Sequence, residues 1–265
     1  YYIIAGEASG DLHGSNLIKA LHQQDTAATI RCWGGDKMEA AGATLVKHYR
    51  QLAFMGFAEV LLNLRTILRN LQFCKEDIRS FQPDVLVLID YPGFNLRIAK
   101  WAKQQGLKVV YYISPQVWAW KENRVKQMKH CIDKMLVILP FEKAYYKNKW
   151  NWEVEYVGHP LLEAIAAARQ EPPLALPPDA QNRPLIALLP GSRRQEIRKK
   201  LPIMLEVSKA FPAYRFVVAK APGLEDDFYH SLLQNYPHVT AVSGQTYALL
   251  QQATAALVTS GTATL

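Results

Sequence analysis

Residues 185–197 read Leu-Ile-Ala-Leu-Leu-Pro-Gly-Ser-Arg-Arg-Gln-Glu-Ile, and this stretch decides the fold expected for the second half of the chain. Its apolar run predicts a buried strand, Pro190-Gly191 predicts a turn, and the residues that follow predict the start of a helix. Such a turn directs free backbone N–H groups and the positive end of a helix dipole at one point. Arg193 and Arg194 add positive charge, so the stretch is a candidate diphosphate site. A helix cap followed by a solvated basic turn is an equally good interpretation.

The chain opens on the same pattern of strand, glycine turn and helix. Residues 2–5 are apolar, and residues 6–14 (GEASGDLHG) predict a turn that leads into a helix. The glycine spacing departs from the G-x-G-x-x-G fingerprint of dinucleotide sites, and Glu7 and Asp11 would repel a diphosphate. This turn therefore suits the hydroxyl groups of a ligand, with capping of the helix by Ser9 and Asp11 as the alternative.

A carboxylate follows the most apolar strand of the first half. Residues 85–89 (VLVLI) predict a central parallel strand covered on both faces, and Asp90 comes directly after them. The carboxyl ends of strands in a doubly wound sheet border the ligand crevice, so Asp90 is a candidate general base. An N-cap of the next helix is the alternative.

The next predicted strand, residues 109–113, leads into a loop with two tryptophans, Trp118 and Trp120. Basic residues follow this loop, so the indole rings are candidates for stacking on nucleobases. An aromatic anchor between helix and sheet is the commoner use of tryptophan and remains the alternative.

Residues 52–81 carry more apolar side chains than one packed helix face requires. Positions 61, 64, 68 and 71 predict one apolar helical stripe, with Arg65 and Arg69 on another side. Basic neighbours are typical of a helix at an anionic lipid surface, whereas a helix buried against the sheet is the alternative. The candidate membrane or acyl-chain residues are Phe54, Met55, Phe57, Val60, Leu61, Arg65 and Arg69.

The composition is that of a globular protein with 265 residues, 49% of them hydrophobic and 20% charged, which is enough for two domains with full cores. The 3 cysteines show no CxxC spacing, which disfavours a disulfide framework and a zinc site and favours a reducing compartment. No apolar run reaches the roughly 18 residues that a membrane-spanning helix needs. The net charge of +8 favours an anionic partner: a phosphate ligand, an anionic lipid or nucleic acid.

Prolines mark the expected boundary between two α/β domains. They recur through residues 171–179, where neither a helix nor a central strand can continue. We predict a Rossmann-like domain over residues 1–170, a linker over 171–184 and a second Rossmann-like domain over 185–265. Residues 259–262 (TSGT) follow the last predicted strand, and a helix is expected after them. We therefore expect the second domain to be incomplete.

A series of short segments resembles the lipid-A-disaccharide synthase family along the whole chain. Each segment alone is weak, but their order is specific. The segments are AGEASGD (5–11), FMG (54–56), EVL (59–61), IDYPGFN (89–95), SPQVWAW (114–120), LPFEK (139–143), VGHP (157–160), LPGSR (189–193) and SGTA (260–263).

The resemblance implies a GT-B glycosyltransferase, in which two Rossmann-like doubly wound domains face each other across a cleft. It implies that UDP-2,3-diacylglucosamine donates its sugar to 2,3-diacylglucosamine 1-phosphate, which gives a β-1,6-linked disaccharide phosphate and UDP. No cofactor and no metal ion are expected. The expected partners are the UDP-sugar donor, the glycolipid acceptor and an anionic membrane surface, with no nucleic acid. The expected location is cytoplasmic, peripheral on the inner face of the cytoplasmic membrane.

The resemblance also implies roles for individual residues. Asp90 is expected to be the base for the acceptor 6-hydroxyl, and Arg193 is expected to neutralise the departing UDP. The residues expected at the acceptor or the cleft are Gly6, Glu7, Ser9, Gly10, Asp11, Asn95, Ser114 and Trp118. Those expected at the UDP donor are Gly191, Ser192, Arg193, Ser260, Gly261 and Thr262.

Two other functions are compatible with these patterns. One is another GT-B enzyme that acts on UDP-N-acetylglucosamine, either a 2-epimerase or the glycosyltransferase of peptidoglycan lipid intermediates. Such an enzyme needs no site for acyl chains. The other is a non-catalytic binder of anionic lipid or nucleic acid, for which binding would weaken steeply with salt.

Overall fold

The computed structural model describes residues 1–52, 64–170, 172–179 and 181–259. The chain divides into two compact units, Tyr1–Pro160 and Leu161–Leu265. Each unit contains its own parallel sheet and two hydrophobic cores, one built around each set of alternating strand residues. This architecture confirms the predicted α/β class with two Rossmann-like units.

The first unit is a 7-stranded parallel sheet in the order β3-β2-β1-β4-β5-β6-β7. Its strands are β1 (Tyr2–Ala5), β2 (Arg31–Gly34), β3 (Thr44–His48), β4 (Val85–Ile89), β5 (Lys108–Tyr112), β6 (Lys134–Val137) and β7 (Glu155–Tyr156). Its α-helices in the described ranges are α1 (Ala8–Gln24), α2 (Asp36–Ala40), α3 (Leu64–Phe81), α4 (Pro92–Gln104), α5 (Arg124–Cys131) and α6 (Pro140–Trp150).

Both faces of the central strands β1 and β4 are buried. Ile4 and Leu88 belong to one hydrophobic core, whereas Ile3 and Val87 belong to the other. Because side chains alternate between the faces of a strand, only a strand covered on both sides can be apolar at every position. The uninterrupted apolar runs of the sequence are explained by this double cover.

The second unit is a 4-stranded parallel sheet in the order β10-β9-β8-β11. Its strands are β8 (Leu185–Leu189), β9 (Arg215–Lys220), β10 (Val239–Ser243) and β11 (Ala255–Val258). Its helices within the described residues are α7 (Leu161–Ala168), α8 (Arg194–Ala210), α9 (Asp226–Leu233) and α10 (Thr246–Gln252).

The boundary between the units lies after residue 160, rather than after residue 170 as the sequence predicts. The proline-rich residues 172–179 form no helix or strand, as expected, but they are packed against the second unit. Leu174 is buried in a core with Leu185 and Leu249, and its carbonyl accepts a hydrogen bond of 3.1 Å from Gln252 Nε2. The leucines between the prolines provide apolar surface that a free linker would leave in water.

Helix α3 follows the predicted apolar stripe at Leu71 but not at Leu68, and the side chains at positions 61 and 64 lie outside the described part of the structure. Leu71, Cys74 and Ile78 face the core, whereas Leu68 is 56% exposed. The rotation of the helix is fixed by Asp77, which accepts a 2.6 Å hydrogen bond from the Tyr2 hydroxyl and a two-pronged ion pair from Arg31 at 2.6 and 2.9 Å. These long-range contacts favour one helix face over another that has similar hydrophobicity.

Candidate functional site

The candidate acceptor site lies where the strand order of the first sheet reverses. β1 and β4 are neighbours, and the chain leaves them toward opposite edges of the sheet, which opens a crevice beyond their carboxyl ends. A small pocket is present at this point. It is lined by Gly6, Glu7, Ser9, Gly10, Ile89, Asp90 and Tyr91. The structure therefore brings the candidate base together with four of the residues expected at the acceptor.

Asp90 lies in a backbone conformation that L-amino acids rarely adopt. Its φ is 44° and that of Tyr91 is 48°, both in the left-handed region. The Asp90 carbonyl accepts hydrogen bonds from the Tyr111 hydroxyl (2.5 Å) and from Asn95 Nδ2 (2.8 Å), and its N–H donates to the Tyr112 carbonyl (3.1 Å). These bonds stabilise the strained turn and so fix the position of the Asp90 backbone, from which the side chain extends. The alternative role as N-cap of α4 is wrong, because Tyr91 occupies that position.

Asn95 lies beneath this turn rather than among the pocket-lining residues. It is fully buried, and its Nδ2 also donates to the carbonyls of Ile4 (3.4 Å) and Ile89 (3.2 Å) at the ends of β1 and β4. Gly6 allows Tyr91 to lie over the same junction, since a Cβ at position 6 would come within 2.3 Å of the Tyr91 ring. Asn95 therefore supports the pocket from the core, whereas Gly6 lines it and leaves room for the Tyr91 ring.

Asp11 caps the start of α2 rather than that of its own helix, α1. Its buried carboxylate accepts hydrogen bonds from the backbone N–H groups of Gly35 (2.8 Å), Met38 (3.0 Å) and Lys37 (3.2 Å), at the first turn of α2. The carboxylate thus neither lines the pocket nor caps its own helix, as the sequence alternatives had it. It holds the β2–α2 turn against α1.

Ser114 is turned into the core after β5. Its Oγ lies 2.6 Å from the Tyr146 hydroxyl and donates to the Pro115 carbonyl at 3.1 Å. Trp118, further along the same loop, is partly exposed and packs edge-on against Phe141. Trp120 is exposed, so the anchor interpretation fails for it, and its ring lies 4.9 Å from Lys121 Nζ.

The candidate donor site lies at the corresponding point of the second sheet, where β8 and β11 are neighbours. β8 leads through Pro190 and Gly191 into α8, as predicted. Gly191 has a φ of 118°, and a Cβ there would come within 2.7 Å of Glu196 Oε2. β11 ends at Val258, and the N–H of the next residue, Thr259, donates to the Leu189 carbonyl at 2.9 Å.

The carboxylate of Glu196 occupies the turn that the sequence assigns to a diphosphate. It accepts a hydrogen bond from the Ser192 N–H at 3.2 Å and lies 3.7 Å from Arg193 Nη1. Sequence reasoning missed this residue, although a glutamate at the third position of a helix is a recognised capping signal. A carboxylate of the chain itself thus lies at the N-terminus of α8 beside an arginine, where a phosphate would also be attracted.

Arg194 does not extend this turn. It forms an ion pair with Glu225, and its guanidinium lies 4.7 Å from the centre of the Phe228 ring, so it is engaged with α9. Two groups of expected site residues lie outside the described residues. They are Ser260, Gly261 and Thr262 at the donor, and Phe54, Met55, Phe57, Val60 and Leu61 at the membrane or acyl chains. Arg65 and Arg69 are exposed on α3.

Sequence reasoning also missed a buried histidine one helical turn from the pocket-lining Ser9. Burial, and then the nearby His159, lower the pKa of His13 to about 4. His13 is 7% exposed, and its Nδ1 has no hydrogen-bond partner within the part of the chain that the structure describes. It is therefore neutral at physiological pH.

The part of the chain that the structure describes has neither a candidate metal cluster nor a candidate membrane-spanning helix. In residues 1–52, 64–170, 172–179 and 181–259, no three His, Cys, Asp or Glu side chains are grouped so that they could hold a metal ion. Over the same ranges, no helix has the length and apolar character needed to cross a membrane.

Comparison with known proteins gives one consistent family. The family model described as lipid-A-disaccharide synthetase matches residues 1–265. The chain is 42% identical to lipid-A-disaccharide synthase 1 of Legionella pneumophila over 273 residues, which cover 99% of this chain and 70% of that protein. It is 40% identical to lipid-A-disaccharide synthase of Geobacter metallireducens over 270 residues, with the same coverage of 99% and 70%.

Solved structures share the fold at much lower identity. A UDP-GlcNAc 2-epimerase from Neisseria meningitidis, bound to UDP-GlcNAc, superposes with a TM-score of 0.64 at 14% identity, covering 98% of this chain and 77% of that one. The calicheamicin glycosyltransferase CalG4 superposes with a TM-score of 0.51 at 17% identity, covering 97% of this chain and 73% of that one. At these identities the likeness shows the GT-B fold alone.

Proposed function

The chain belongs to the lipid-A-disaccharide synthetase family, and on that premise we propose how its own residues carry out the transfer. The reaction moves the sugar of UDP-2,3-diacylglucosamine to 2,3-diacylglucosamine 1-phosphate and releases UDP. The acceptor 6-hydroxyl oxygen forms a bond to the anomeric carbon while the bond from that carbon to the diphosphate breaks. The hydroxyl proton needs a base, and the departing UDP needs its new charge stabilised.

Asp90 is the base in this proposal. The observation that carries it is the position of the carboxylate, at the β1/β4 switch point in a turn held by Tyr111 and Asn95. Gly6, Glu7, Ser9 and Gly10 line the same pocket and provide backbone and polar groups for the hydroxyls of the acceptor sugar. Because the backbone of this base is already held in place, less conformational freedom is lost when the base meets the acceptor oxygen.

The turn after β8 holds the diphosphate of the donor. Gly191 and Ser192 bring backbone N–H groups to the N-terminus of α8, and Arg193 adds a positive charge there. Negative charge that develops on the leaving UDP is stabilised by both. Ser260, Gly261 and Thr262, which follow β11 in the sequence, complete the donor site in this proposal.

Attachment to an anionic membrane, peripherally and from the cytoplasmic side, brings the enzyme to its diacylated substrates. The exposed face of α3 supports this proposal, because Arg65 and Arg69 stand beside Leu68 and Phe73, which are 56% and 42% exposed. Basic and apolar side chains on one exposed face are typical of helices that lie in a lipid surface. Phe54, Met55, Phe57, Val60 and Leu61 precede this helix in the sequence and also contact the membrane or the acyl chains in the proposal.

The test is an assay of UDP release in detergent micelles with both diacylated glucosamine substrates. We expect release to require both, and to give one disaccharide phosphate for each UDP. UDP-N-acetylglucosamine with the acceptor, and delipidated analogues of both substrates, serve as the controls. Full-rate turnover of either control would favour an enzyme of UDP-N-acetylglucosamine and contradict the proposal. RNA binding with a steep salt dependence, without turnover, would favour a non-catalytic binder.

A further inference from the structure

An aromatic pair projects from the ligand edge of the first sheet. Trp118 lies in the loop after β5, and Phe141 lies in the first turn of α6, after β6. Their ring centres are 5.0 Å apart with an edge-to-face angle of 86°, and the two side chains are 36% and 48% exposed. Apolar rings that pack on each other at the ligand edge, yet remain this exposed, are available to a partner.

The buried carboxylate of Glu142 holds the Trp118–Phe141 pair in place. Glu142 accepts hydrogen bonds from the backbone N–H groups of Ile138 (3.2 Å) and Leu139 (2.9 Å). Burial raises the pKa of Glu142, and the hydrogen bonds from the Leu139 and Ile138 N–H groups and then from the Trp118 side chain oppose that shift. Since the indole N–H is the only polar group of tryptophan and is directed to Glu142, the exposed part of Trp118 is hydrocarbon.

The loops that carry the pair start next to Asp90. Ile89 is in register with Tyr112, and the Ile113 N–H continues the ladder to Leu136 at 3.1 Å, so β4, β5 and β6 end side by side. Neighbouring strands are about 5 Å apart, so these loops begin about 5 and 10 Å from the base. A substituent of a sugar bound at Asp90 can span that distance.

We propose that Trp118 and Phe141 form the subsite for a fatty acyl chain of the glycolipid acceptor, with Glu142 as the positioning residue for Trp118. This inference rests on the proposed function for its choice of ligand. An acyl chain fits better than the sugar itself because the pair offers no free hydrogen-bonding group. Lys121, beside this loop, and Lys143, in the turn after Phe141, are exposed and favour an anionic lipid.

The experiment measures binding of monomeric 2,3-diacylglucosamine 1-phosphate in short-chain and long-chain forms, which requires no turnover. In the wild type, affinity should rise with chain length, because each buried methylene favours binding. Trp118→Ala and Phe141→Ala should each weaken binding of the long-chain form by about 10-fold and leave the short-chain form within about 2-fold. The matched control is Phe211→Ala, which removes one ring of an exposed aromatic pair in the second unit, Phe211 and Tyr214, and should change neither.

The role of Glu142 has its own readout. Glu142→Gln should raise KM for the long-chain acceptor and leave both kcat and KM for the donor unchanged, which a general loss of folding would not do.

Equal losses of affinity for both chain lengths in the Trp118 and Phe141 variants would overturn the inference, as would a wild type whose affinity does not depend on chain length. Loss of vesicle binding with normal binding of monomeric acceptor would show a membrane contact instead. A wild type that binds the long chain but releases no UDP would contradict the proposed function and leave the acyl subsite standing.

Discussion

At the scale of single residues, the Asp90 carbonyl oxygen receives two hydrogen bonds that the catalytic proposal depends on. Tyr111→Phe removes the bond from the hydroxyl and leaves the ring in the core. One buried hydrogen bond contributes about 1 kcal/mol, so we expect kcat to fall by about 5-fold as Asp90 loses its fixed position. KM for the donor should stay unchanged in steady-state kinetics.

A matched control separates this effect from stability. Tyr229 in the second unit is equally buried, and its hydroxyl accepts a hydrogen bond of 2.7 Å from the Ala221 N–H. Tyr229→Phe should lower the melting temperature about as much as Tyr111→Phe does, with little change in kcat. Equal losses of kcat in the two variants would show that Tyr111 has only a structural role.

Glu196 is expected to compete with the donor diphosphate for the turn after β8. Its carboxylate lies at the turn where the diphosphate is proposed to bind, so the two anions compete for Ser192 and Arg193. Glu196→Gln should tighten UDP binding about 3-fold or more in calorimetry, whereas Arg193→Ala should weaken it. Glu206→Gln, an exposed change on the same helix, is the control. Weaker UDP binding by Glu196→Gln would mean that the carboxylate supports the turn instead of competing.

At the scale of elements, helix α3 has one face that packs against the core and another, exposed face that is the proposed membrane contact. Leu68→Ser with Arg69→Ser changes only exposed side chains of this face, so we expect weaker binding to anionic vesicles in a sedimentation assay and little change in melting temperature. Leu71→Ser, on the buried face, should instead destabilise the protein by about 3 kcal/mol. Unchanged vesicle binding in the double variant would exclude this face of α3 as the membrane contact.

The same elements show what the sequence could and could not predict. β1, β4 and β8 are predictable because each is an apolar run that ends at glycine, aspartate or proline, and the switch-point rule then places Asp90 correctly. The stripe of α3 is only partly predictable: Leu71 is buried as predicted, but Leu68 is exposed, since Tyr2 and Arg31, far away in sequence, help to determine which face turns inward. The same holds for Tyr111, because its bond to Asp90 depends on the register of β4 with β5. The capping role of Asp11 requires knowing that α2 begins beside α1.

At the scale of the whole molecule, stability should depend on the charge state of His13. Its folded pKa, lowered to about 4, lies below the ordinary value of 6.5, so the folded chain binds fewer protons in this window. The stabilising contribution is complete above pH 6.5 and is lost as the pH falls toward 4, by about 3 kcal/mol. His13→Leu should therefore flatten the fall in unfolding free energy between pH 6.5 and 4, measured by urea denaturation. The control, exposed His230→Gln, should leave that slope as it is in the wild type.

The two units repeat one arrangement, with a short turn at the switch point of each parallel sheet. In the proposal, the turn of the first unit supplies the Asp90 carboxylate, and the turn of the second unit supplies backbone N–H groups and Arg193. A base and a diphosphate site are the two groups that sugar transfer from UDP requires. The family and the fold therefore agree with the chemistry that each unit offers.

The most direct test of this account is the turnover of Asp90→Asn with both diacylated substrates in micelles, measured as UDP release. The amide keeps the size of the side chain and, with Tyr111 and Asn95 in place, the turn. We expect kcat to fall by about 10²-fold or more, with UDP affinity and melting temperature unchanged, because only the acceptance of the proton is lost. Turnover close to that of the wild type would contradict the assignment of Asp90 as the base.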